Sequence, residues 1–276
     1  MGYNIRMKLS DGNILRYSRN ILIPEIGPEG QEKIFRASAL VVGAGGLGSP
    51  ALLYLAAGGV GRIGIIDRDR VEITNLNRQV IHAERSVGRR KVESAGDCIR
   101  SIRSDVLLEE HGAALTVGNA VRLFRQYDVV IDGSDNFPTK FLCSDASVLT
   151  GVPLVHAGVL RFGGQMMAVV PGKGPCLRCL IPEIPPRRDT PTCAEAGILG
   201  GVAGIVGAWQ AVEAIKIIAG AGEPLAGRLL TLDTLTVTVS VHAVSRDPQC
   251  PACGDSPRIR LPLEASEYEQ ERSCAI

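Results

Sequence analysis

The chain has 276 residues, a formal net charge of +1 at pH 7, and 45% hydrophobic residues. This length allows one large or two small domains with a full core, and the balanced charge gives no reason to expect a nucleic-acid partner. The N-terminus carries Arg6 and Lys8 but no apolar signal-peptide segment, so we expect a soluble, cytoplasmic protein.

The first candidate element is residues 13–20, which contain two arginines at positions i and i+3. On a helix, Arg16 and Arg19 would share one face. By residue type alone, this is a solvated helical face.

The next elements follow the order strand, glycine turn, helix, strand and acid. Residues 39–42 form a short apolar run that predicts a buried strand, and the turn 43–48 follows it. An apolar helix is predicted to about residue 57, and a second strand over 62–66 ends at Asp67. The glycines of the turn are Gly43, Gly45, Gly46 and Gly48. In this nucleotide-binding pattern the glycines let the backbone approach phosphates, and the acid suits a ribose hydroxyl.

A polar run follows Asp67, where a dehydrogenase usually begins another plain helix. Asp69 and Glu72 fit a solvated loop as well as a site. Arg78 and Asn75 are more specific, because a guanidinium and an amide beside a phosphate-binding turn can hold a triphosphate and its ribose. The run therefore favours ATP as the ligand.

Two later segments add candidate polar residues. Residues 87–102 predict an amphipathic helix that begins with the bases Arg89, Arg90 and Lys91, a pattern typical of a surface. Residues 127–131 predict a buried strand, and acids at the carboxyl end of such a strand suit a magnesium site. Asp132, the first of these acids, is also compatible with a turn or a helix cap.

The remaining chain alternates strands with a loop and a helix. Residues 181–193 are rich in proline and predict a long, functional or mobile loop. Uncharged stretches at 37–61 and 196–212 are not predicted to span a membrane, because glycines interrupt the first and Glu213 and Lys216 end the second. The second stretch predicts a closely packed helix at a core or dimer surface. The other predicted strands are 152–160, 165–170, 228–232 and 237–242.

Four of the eight cysteines form two C-x-x-C pairs. One such pair is compatible with a redox role, but two pairs predict a structural zinc site with four thiolate ligands. Four filled positions leave no place for a reacting water. The pairs are Cys176 with Cys179 and Cys250 with Cys253. A disulfide framework is not expected without an export signal, and the other cysteines stand alone: Cys98, Cys143, Cys193 and Cys274.

The segments GAGGLGS and D-x-D-x-V-E-x-T-N-L-N-R-Q resemble the E1-like (HesA/MoeB/ThiF) activating enzymes. More narrowly, they are similar to the bacterial adenylyltransferases of molybdopterin, thiamine and related sulfur-carrier pathways, and the similarity runs over about residues 14–254. It implies a Rossmann-like, doubly wound, mostly parallel α/β sheet continued by antiparallel strands. One domain would cover 1–255, with its ATP-binding part ending near 150 and the carrier-binding and zinc part after it. The polar residues 256–276 predict a flexible tail.

The resemblance also implies roles at the ATP site. Arg19, in the segment R-Y-S-R-N, would reach across a homodimer into the partner's ATP site, and Lys91 would contact the phosphates. Asp135 of the pair Asp135-Asn136 would bind Mg²⁺. Asp67 and Gly45 would hold the nucleoside, while Arg78 and Asn75 lie near the phosphates.

The expected reaction is attack of a carboxylate on the α-phosphorus of ATP, giving an acyl-adenylate and pyrophosphate. The resemblance implies a ubiquitin-fold sulfur carrier ending in Gly-Gly as second substrate, with a sulfurtransferase as a further candidate partner. Cys193, in T-C-A-E-A-G, matches a cysteine proposed to form a thioester or persulfide link, although an incidental loop cysteine is the alternative. A carboxylate needs no general base, which fits the absence of an evident Ser-His-Asp arrangement among His82, His111, His156 and His242.

Three other functions are compatible with parts of the pattern. The first is an NAD(P)-linked oxidoreductase, against which the polar run and the paired C-x-x-C motifs both count. The second is an E1-like enzyme that adenylates another small carboxylate or a modified tRNA base. The third is a non-catalytic scaffold, which the filled ATP-site positions disfavour.

Overall fold

The computed structural model describes residues 9–190 and 193–269, and it contains one mixed sheet of eight strands. The strands are β1 (Ser38–Val42), β2 (Arg62–Ile66), β3 (Leu107–His111), β4 (Val129–Asp132), β5 (Leu154–Leu160), β6 (Gly163–Val169), β7 (Arg228–Asp233) and β8 (Thr238–Ala243). Their order in space is β3-β2-β1-β4-β5-β6-β7-β8. The pairs from β3 to β5 are parallel, and those from β5 to β8 are antiparallel. The predicted fold class is confirmed.

Helices cover both faces of this sheet. They are α1 (Asp11–Arg16), α2 (Ser18–Ile21), α3 (Gly27–Arg36), α4 (Gly48–Gly58), α5 (Lys91–Ile102), α6 (Ala120–Phe124), α7 (Phe137–Thr150), α8 (Leu177–Leu180), α9 (Cys193–Ala196) and α10 (Gly200–Ala219). One buried core joins β1 to α3, α4, α5 and α10, and includes Leu52 and Ile99. A second core on the opposite face joins the sheet to α6, α7 and α8, and includes Phe124 and Phe141.

The strand order reverses beside β1. The chain runs from β1 outward to β2 and β3, and then returns to place β4 on the other side of β1. Connections leaving the carboxyl ends of β1 and β4 therefore diverge and open a crevice. In doubly wound sheets this is where ligands bind.

Two helix predictions need correction. The N-terminal segment is not one helix, because the buried Tyr17 separates α1 from α2. The helix expected over 196–212 instead begins at Gly200 and runs to Ala219. Its Glu213 is only 1% exposed. The buried carboxylate is satisfied by hydrogen bonds that it accepts from Lys216 Nζ and, at 2.8 Å, from Leu225 N.

By length and composition, α10 is the one helix in the described ranges that is apolar enough to cross a membrane. Half of the apolar stretch of this helix is buried inside the protein. Val206 and Ala211 of α10 belong to the same core as Leu52 of α4. The helix thus forms part of the protein core.

The predicted tail is wrong for its first part. Ile259, Leu263 and Tyr268 are all buried against the second core. The Tyr268 hydroxyl donates to Asp145 Oδ2 at 3.0 Å, and the same carboxylate pairs with Arg178 Nη2 at 2.9 Å. The buried ion pair between α7 and α8 thus anchors the C-terminal segment through Tyr268. Residues 270–276 lie outside the described part.

Candidate active site

A cavity of about 740 Å³ opens at the carboxyl ends of β1, β2 and β4 and continues along β5 and β6. Its volume lies within the usual range for small-molecule and cofactor sites. Most of the predicted nucleotide-binding residues border it, namely Gly43, Gly45, Gly46, Asp67, Arg78, Lys91, Asp135 and Asn136. Arg19 and Asn75 do not border it in this chain.

The glycine turn needs glycine for steric reasons. Gly43 has a positive φ of +90°, and a Cβ there would lie 3.0 Å from the Gly133 carbonyl oxygen. A Cβ on Gly48 would lie 1.8 Å from the Gly43 carbonyl oxygen. The turn is therefore wrapped closely around the start of α4. The N-terminus of this helix borders the cavity and favours phosphate through its free N–H groups.

Asp67 fixes the geometry of this turn. Its Oδ2 accepts a hydrogen bond from Ala44 N at 2.8 Å, and its Oδ1 accepts one from Asp69 N at 2.8 Å. Each carboxylate oxygen keeps a lone pair for a further donor. Asp67 is half-buried and borders the cavity, so this position suits a ribose hydroxyl.

Arg78 and Lys91 provide two cations on the cavity wall. Arg78 Nη1 donates to Thr74 O at 2.9 Å and to Asn77 Oδ1 at 3.0 Å, which leaves its other N–H groups for a ligand. Lys91 begins α5 and is only 6% exposed, with its Nζ 3.0 Å from Asp69 Oδ2. Asp69 therefore holds the lysine in place.

Asn75 lies behind this wall. Its Oδ1 accepts a hydrogen bond from Glu72 N at 3.0 Å in a reciprocal capping box around the 3₁₀ turn Ile73–Asn75. Its carbonyl oxygen accepts from Arg78 N at 3.1 Å and from Gln79 N at 2.9 Å. Asn75 thus orients the segment that carries Arg78.

The loop after β4 presents an exposed carboxylate. Asn136 caps α7 by accepting a hydrogen bond from Thr139 N at 3.0 Å, and Asp135 precedes it on the cavity border. Mg²⁺ typically takes one or two protein carboxylates and fills its other positions with phosphate oxygens and water. The exposed Asp135 fits that requirement.

A buried polar cluster lies at the ends of β4 and β5, and of its members the sequence analysis singled out only Asp132, which pairs with a histidine and a lysine instead of facing the cavity as a free metal ligand. Asp132, fully buried, lies 2.8 Å from His156 Nδ1 and 3.3 Å from Lys140 Nζ through its Oδ2. Its Oδ1 accepts hydrogen bonds from Ser134 N at 3.0 Å and from Ser134 Oγ at 2.5 Å. Lys140 and His156 border the cavity. The missed signal was the alignment of two strand ends, because the parallel register pairs Asp132 with His156.

The cluster holds a carboxylate, a cation and a neutral ring. Burial by itself would raise the pKa of Asp132, but the charge of Lys140 and the hydrogen bonds from His156 and Ser134 bring that pKa well below its ordinary value. Burial lowers the pKa of His156, and the charge of Lys140 adds to this effect. The carboxylate lies between serine and histidine, whereas a nucleophilic triad places histidine in the middle, so Ser134 has no base.

Gln79 also borders the cavity and was not singled out from the sequence. It is 5% exposed, and its Oε1 has no hydrogen-bond partner within the described chain. A Cβ on Gly45 would lie 3.7 Å from Gln79 Nε2, which places this carboxamide over the glycine turn.

The four paired cysteines meet at one point. Their sulfur atoms all lie within 4.8 Å of one another, with Cys176 Sγ 3.5 Å from Cys250 Sγ and Cys179 Sγ 3.3 Å from Cys253 Sγ. A tetrahedral zinc ion with Zn–S bonds of about 2.3 Å requires sulfur separations of about 3.8 Å. The donor set and its spacing therefore fit zinc.

Besides Asn75, one predicted site residue lies away from the cavity, and two cysteines lie partly or wholly beyond the described atoms. Arg19 is exposed on α2. Cys193 begins α9, but its side chain lies outside the described part of the structure. Cys274 is also outside the described residues.

Comparisons with known proteins give one consistent result. Residues 17–252 match the ThiF family. A sulfur carrier protein adenylyltransferase from Thermus thermophilus is 45% identical over 268 residues, which cover 95% of this chain and 98% of that protein. An adenylyltransferase and sulfurtransferase, MOCS3, from Sus scrofa is 47% identical over 262 residues, covering 95% of this chain but 57% of that protein. The crystal structure of E. coli MccB with ATP matches with a TM-score of 0.75 and 26% identity, over 87% of this chain and 74% of that chain.

Proposed function

The chain belongs to the ThiF family, and from this membership we propose that it uses ATP to adenylate a ubiquitin-fold sulfur-carrier protein. The carboxylate of the carrier's C-terminal glycine would attack the α-phosphorus, giving an acyl-adenylate and releasing pyrophosphate. Thiocarboxylate formation would follow. A relative named as a sulfur carrier protein adenylyltransferase, similar over nearly its whole length, supports this activity.

One observation carries the proposal. A single cavity brings together the glycine turn, Asp67, two cations and the exposed Asp135. These are the groups that a nucleoside triphosphate and its metal require.

The site supplies position and charge, because the reaction joins two anions. Arg78 and Lys91 would bind phosphate oxygens and stabilise the charge that develops on the pentavalent phosphorus. Asp135 would hold Mg²⁺, which, when bound, neutralises phosphate charge. The attacking carboxylate is ionised at neutral pH, so no side chain has to remove a proton.

The far end of the cavity suits the carrier's tail. Gly158, Gly163 and Gly164 border it where β5 turns into β6, and Ile181 and Ile198 flank it. Glycines leave room for an extended chain close to the sheet. A Gly-Gly terminus, which has no side chains, would fit this channel beneath the proline-rich loop.

A homodimer would complete the site. Arg19 is exposed and does not border its own cavity, so it is free to serve a second subunit. Apolar side chains exposed on α1, the α2 C-cap, α4 and α10 support such an interface, among them Leu15, Leu22, Tyr54 and Val212. If Arg19 acts in trans, mixing inactive Arg19→Ala and Asp135→Ala subunits should restore about a quarter of wild-type activity, since one site in each mixed dimer keeps both groups.

The four-cysteine site would hold a structural zinc ion. Cys176, Cys179, Cys250 and Cys253 would fill all four positions and join α8 to the segment after β8. Reduced thiolates are expected in the cytoplasm, where we place the protein. The ion would supply folding energy without taking part in the reaction.

Cys193 is proposed either to attack the acyl-adenylate, forming a thioester and releasing AMP, or to accept persulfide sulfur from a sulfurtransferase, whose thiolate leaves, for transfer to the carrier. It begins α9, at the end of the proline-rich loop. A Cys193→Ser protein should keep ATP–pyrophosphate exchange. In an assay with a sulfurtransferase as the sulfur donor, it should lose sulfur transfer to the carrier. Unaltered sulfur transfer would make it an incidental loop cysteine.

The decisive experiment is carrier-dependent ATP–pyrophosphate exchange. The sulfur carriers of thiamine and molybdopterin synthesis, each with an intact Gly-Gly end, would be tested in turn. Arg78→Ala and Asp135→Ala should each lower exchange by about a hundredfold or more, because each removes a group that stabilises the transition state.

Arg89→Ala is the matched control. Arg89 is exposed, pairs with Asp97 at 2.8 Å and lies outside the cavity, so its loss should leave exchange unchanged. The proposal fails if no carrier supports exchange, or if Arg78→Ala and Asp135→Ala both retain near-wild-type rates.

A further inference from the structure

A buried imidazole borders the cavity with one ring nitrogen unused. His156 is 3% exposed, and its Nδ1 lies 2.8 Å from Asp132 Oδ2. Within the described chain, its Nε2 has no hydrogen-bond partner. The ring borders the cavity, and its unpartnered Nε2 is not fully enclosed by the protein.

Asp132 determines which nitrogen carries the proton. The carboxylate is ionised, since the charge of Lys140 and the hydrogen bonds from His156 and Ser134 lower its pKa. An ionised carboxylate only accepts hydrogen bonds, so His156 Nδ1 must be the donor. In the neutral ring, Nε2 is then an acceptor that carries no hydrogen.

Of the groups that the proposed substrates present, only hydrogen-bond donors can bind to His156 Nε2. Phosphate and carboxylate oxygens carry no proton at neutral pH and would be repelled by the lone pair on Nε2. A peptide N–H would be attracted. On the same face of β5, two residues further along, lies Gly158, and its β6 partner Gln165 also borders the cavity. A glycine-rich peptide running along this strand would bring its N–H groups past His156.

We propose that His156 Nε2 accepts a hydrogen bond from a backbone N–H of the carrier's C-terminal glycine segment. This inference rests on the proposed adenylation of a sulfur carrier. The bond would hold the tail so that its carboxylate points toward the α-phosphate, and His156 is therefore a positioning residue. Asp132 serves as the support that fixes the tautomer and orientation of the ring.

Two substitutions separate the function of each ring nitrogen. In His156→Asn the amide nitrogen takes the place of Nδ1 and still donates to Asp132, but nothing replaces Nε2. In His156→Gln the longer side chain can place its carbonyl oxygen near the position of Nε2, while the bond to Asp132 is lost. We expect His156→Asn to raise the carrier KM about fivefold to tenfold, with unchanged KM for ATP. We expect the carrier KM of His156→Gln to lie between those of His156→Asn and the wild type.

A chemical change in the substrate tests the contact directly. Semisynthetic carriers would carry N-methylglycine at one or the other of the two terminal glycines, which removes one N–H at a time. At the contacted glycine, methylation should raise the wild-type KM by a similar factor and have little further effect in His156→Asn. His111→Asn, on the edge strand β3 and outside the cavity, is the control and should respond to methylation like the wild type.

The inference is overturned if His156→Asn has the wild-type carrier KM, or if methylation affects both enzymes equally. An equal rise in the KM for ATP and for the carrier would indicate a general loss of structure and would also overturn it. Failure of the wild-type enzyme to show carrier-dependent exchange would instead refute the proposed function.

Discussion

Asp132→Asn should destabilise the protein strongly, because the carboxylate balances a buried cation. Asp132 is 0% exposed, and the Lys140 side chain is 9% exposed with its Nζ 3.3 Å away. An asparagine offers one oxygen, whereas Ser134 N donates to one side of the carboxylate and His156 and Lys140 donate to the other. An amide N–H₂ group would therefore face a donor in either orientation.

The magnitude follows from the loss of the charge partner. Removing one member of a buried ion pair typically costs about 3–5 kcal/mol. Lys140 keeps its hydrogen bond to Ala157 O at 2.6 Å, so we expect the lower part of that range, about 3 kcal/mol. For a chain of this size, such a loss lowers the Tm by about 5 °C.

Chemical denaturation of the metal-loaded protein at pH 7 would measure the loss. The double variant Asp132→Asn/Lys140→Met is the control, because it removes the stranded cation together with its partner. It should be more stable than Asp132→Asn alone. A loss below 1 kcal/mol in the single variant, or a double variant that is less stable, would refute the assignment of a buried charge pair.

Other predictions concern different parts of the molecule. Chelation should release about one zinc per chain and lower the free energy of unfolding by several kcal/mol. Metal analysis should show that Cys179→Ser no longer retains zinc, whereas the control Cys98→Ser does. Gln79→Met should raise the KM for ATP severalfold while keeping or raising the Tm, because it removes a buried oxygen without a partner; a lower Tm with unchanged KM would contradict a role toward the nucleotide. Burial lowers the pKa of both His82 and His156, whereas the unfolded chain binds these protons near pH 6.5. The free energy of unfolding should therefore fall as pH drops below about 6.5, which urea denaturation at several pH values would test.

The elements that are determined locally were predictable from the sequence. The apolar runs of β1 and β2 flank a turn whose glycines are sterically required, and their predicted bounds agree with the structure to within one residue at either end. The strand β3 was not predicted because its sequence LLEEH lacks a continuous apolar run. Its Glu109 instead pairs with Arg62 at 2.8 Å on β2 and accepts from Tyr127 at 2.7 Å. These partners are distant in sequence, so no local pattern indicates the strand.

The same distinction applies to the site. The paired cysteines and the residues from Gly43 to Asp67 lie in short motifs whose spacing determines their geometry. The cluster of Asp132, Lys140 and His156 comes from two strands and a helix, and it forms only through the register of β4 with β5. From the sequence alone, His156 had no visible carboxylate partner. Strand register is the information that was missing.

The arrangement of charge around the cavity gives the proposed reaction a direction. Arg78 and Lys91 lie on the wall that carries the glycine turn, and they would attract the triphosphate. At the ends of β4 and β5, the charge of Lys140 is balanced by Asp132, so that wall offers a neutral imidazole instead of a second cation. A carrier tail has a negative terminus preceded by peptide N–H groups. The terminus would be drawn to the cationic wall and the N–H groups to His156, so the same charge pattern that binds ATP would also orient the attacking carboxylate.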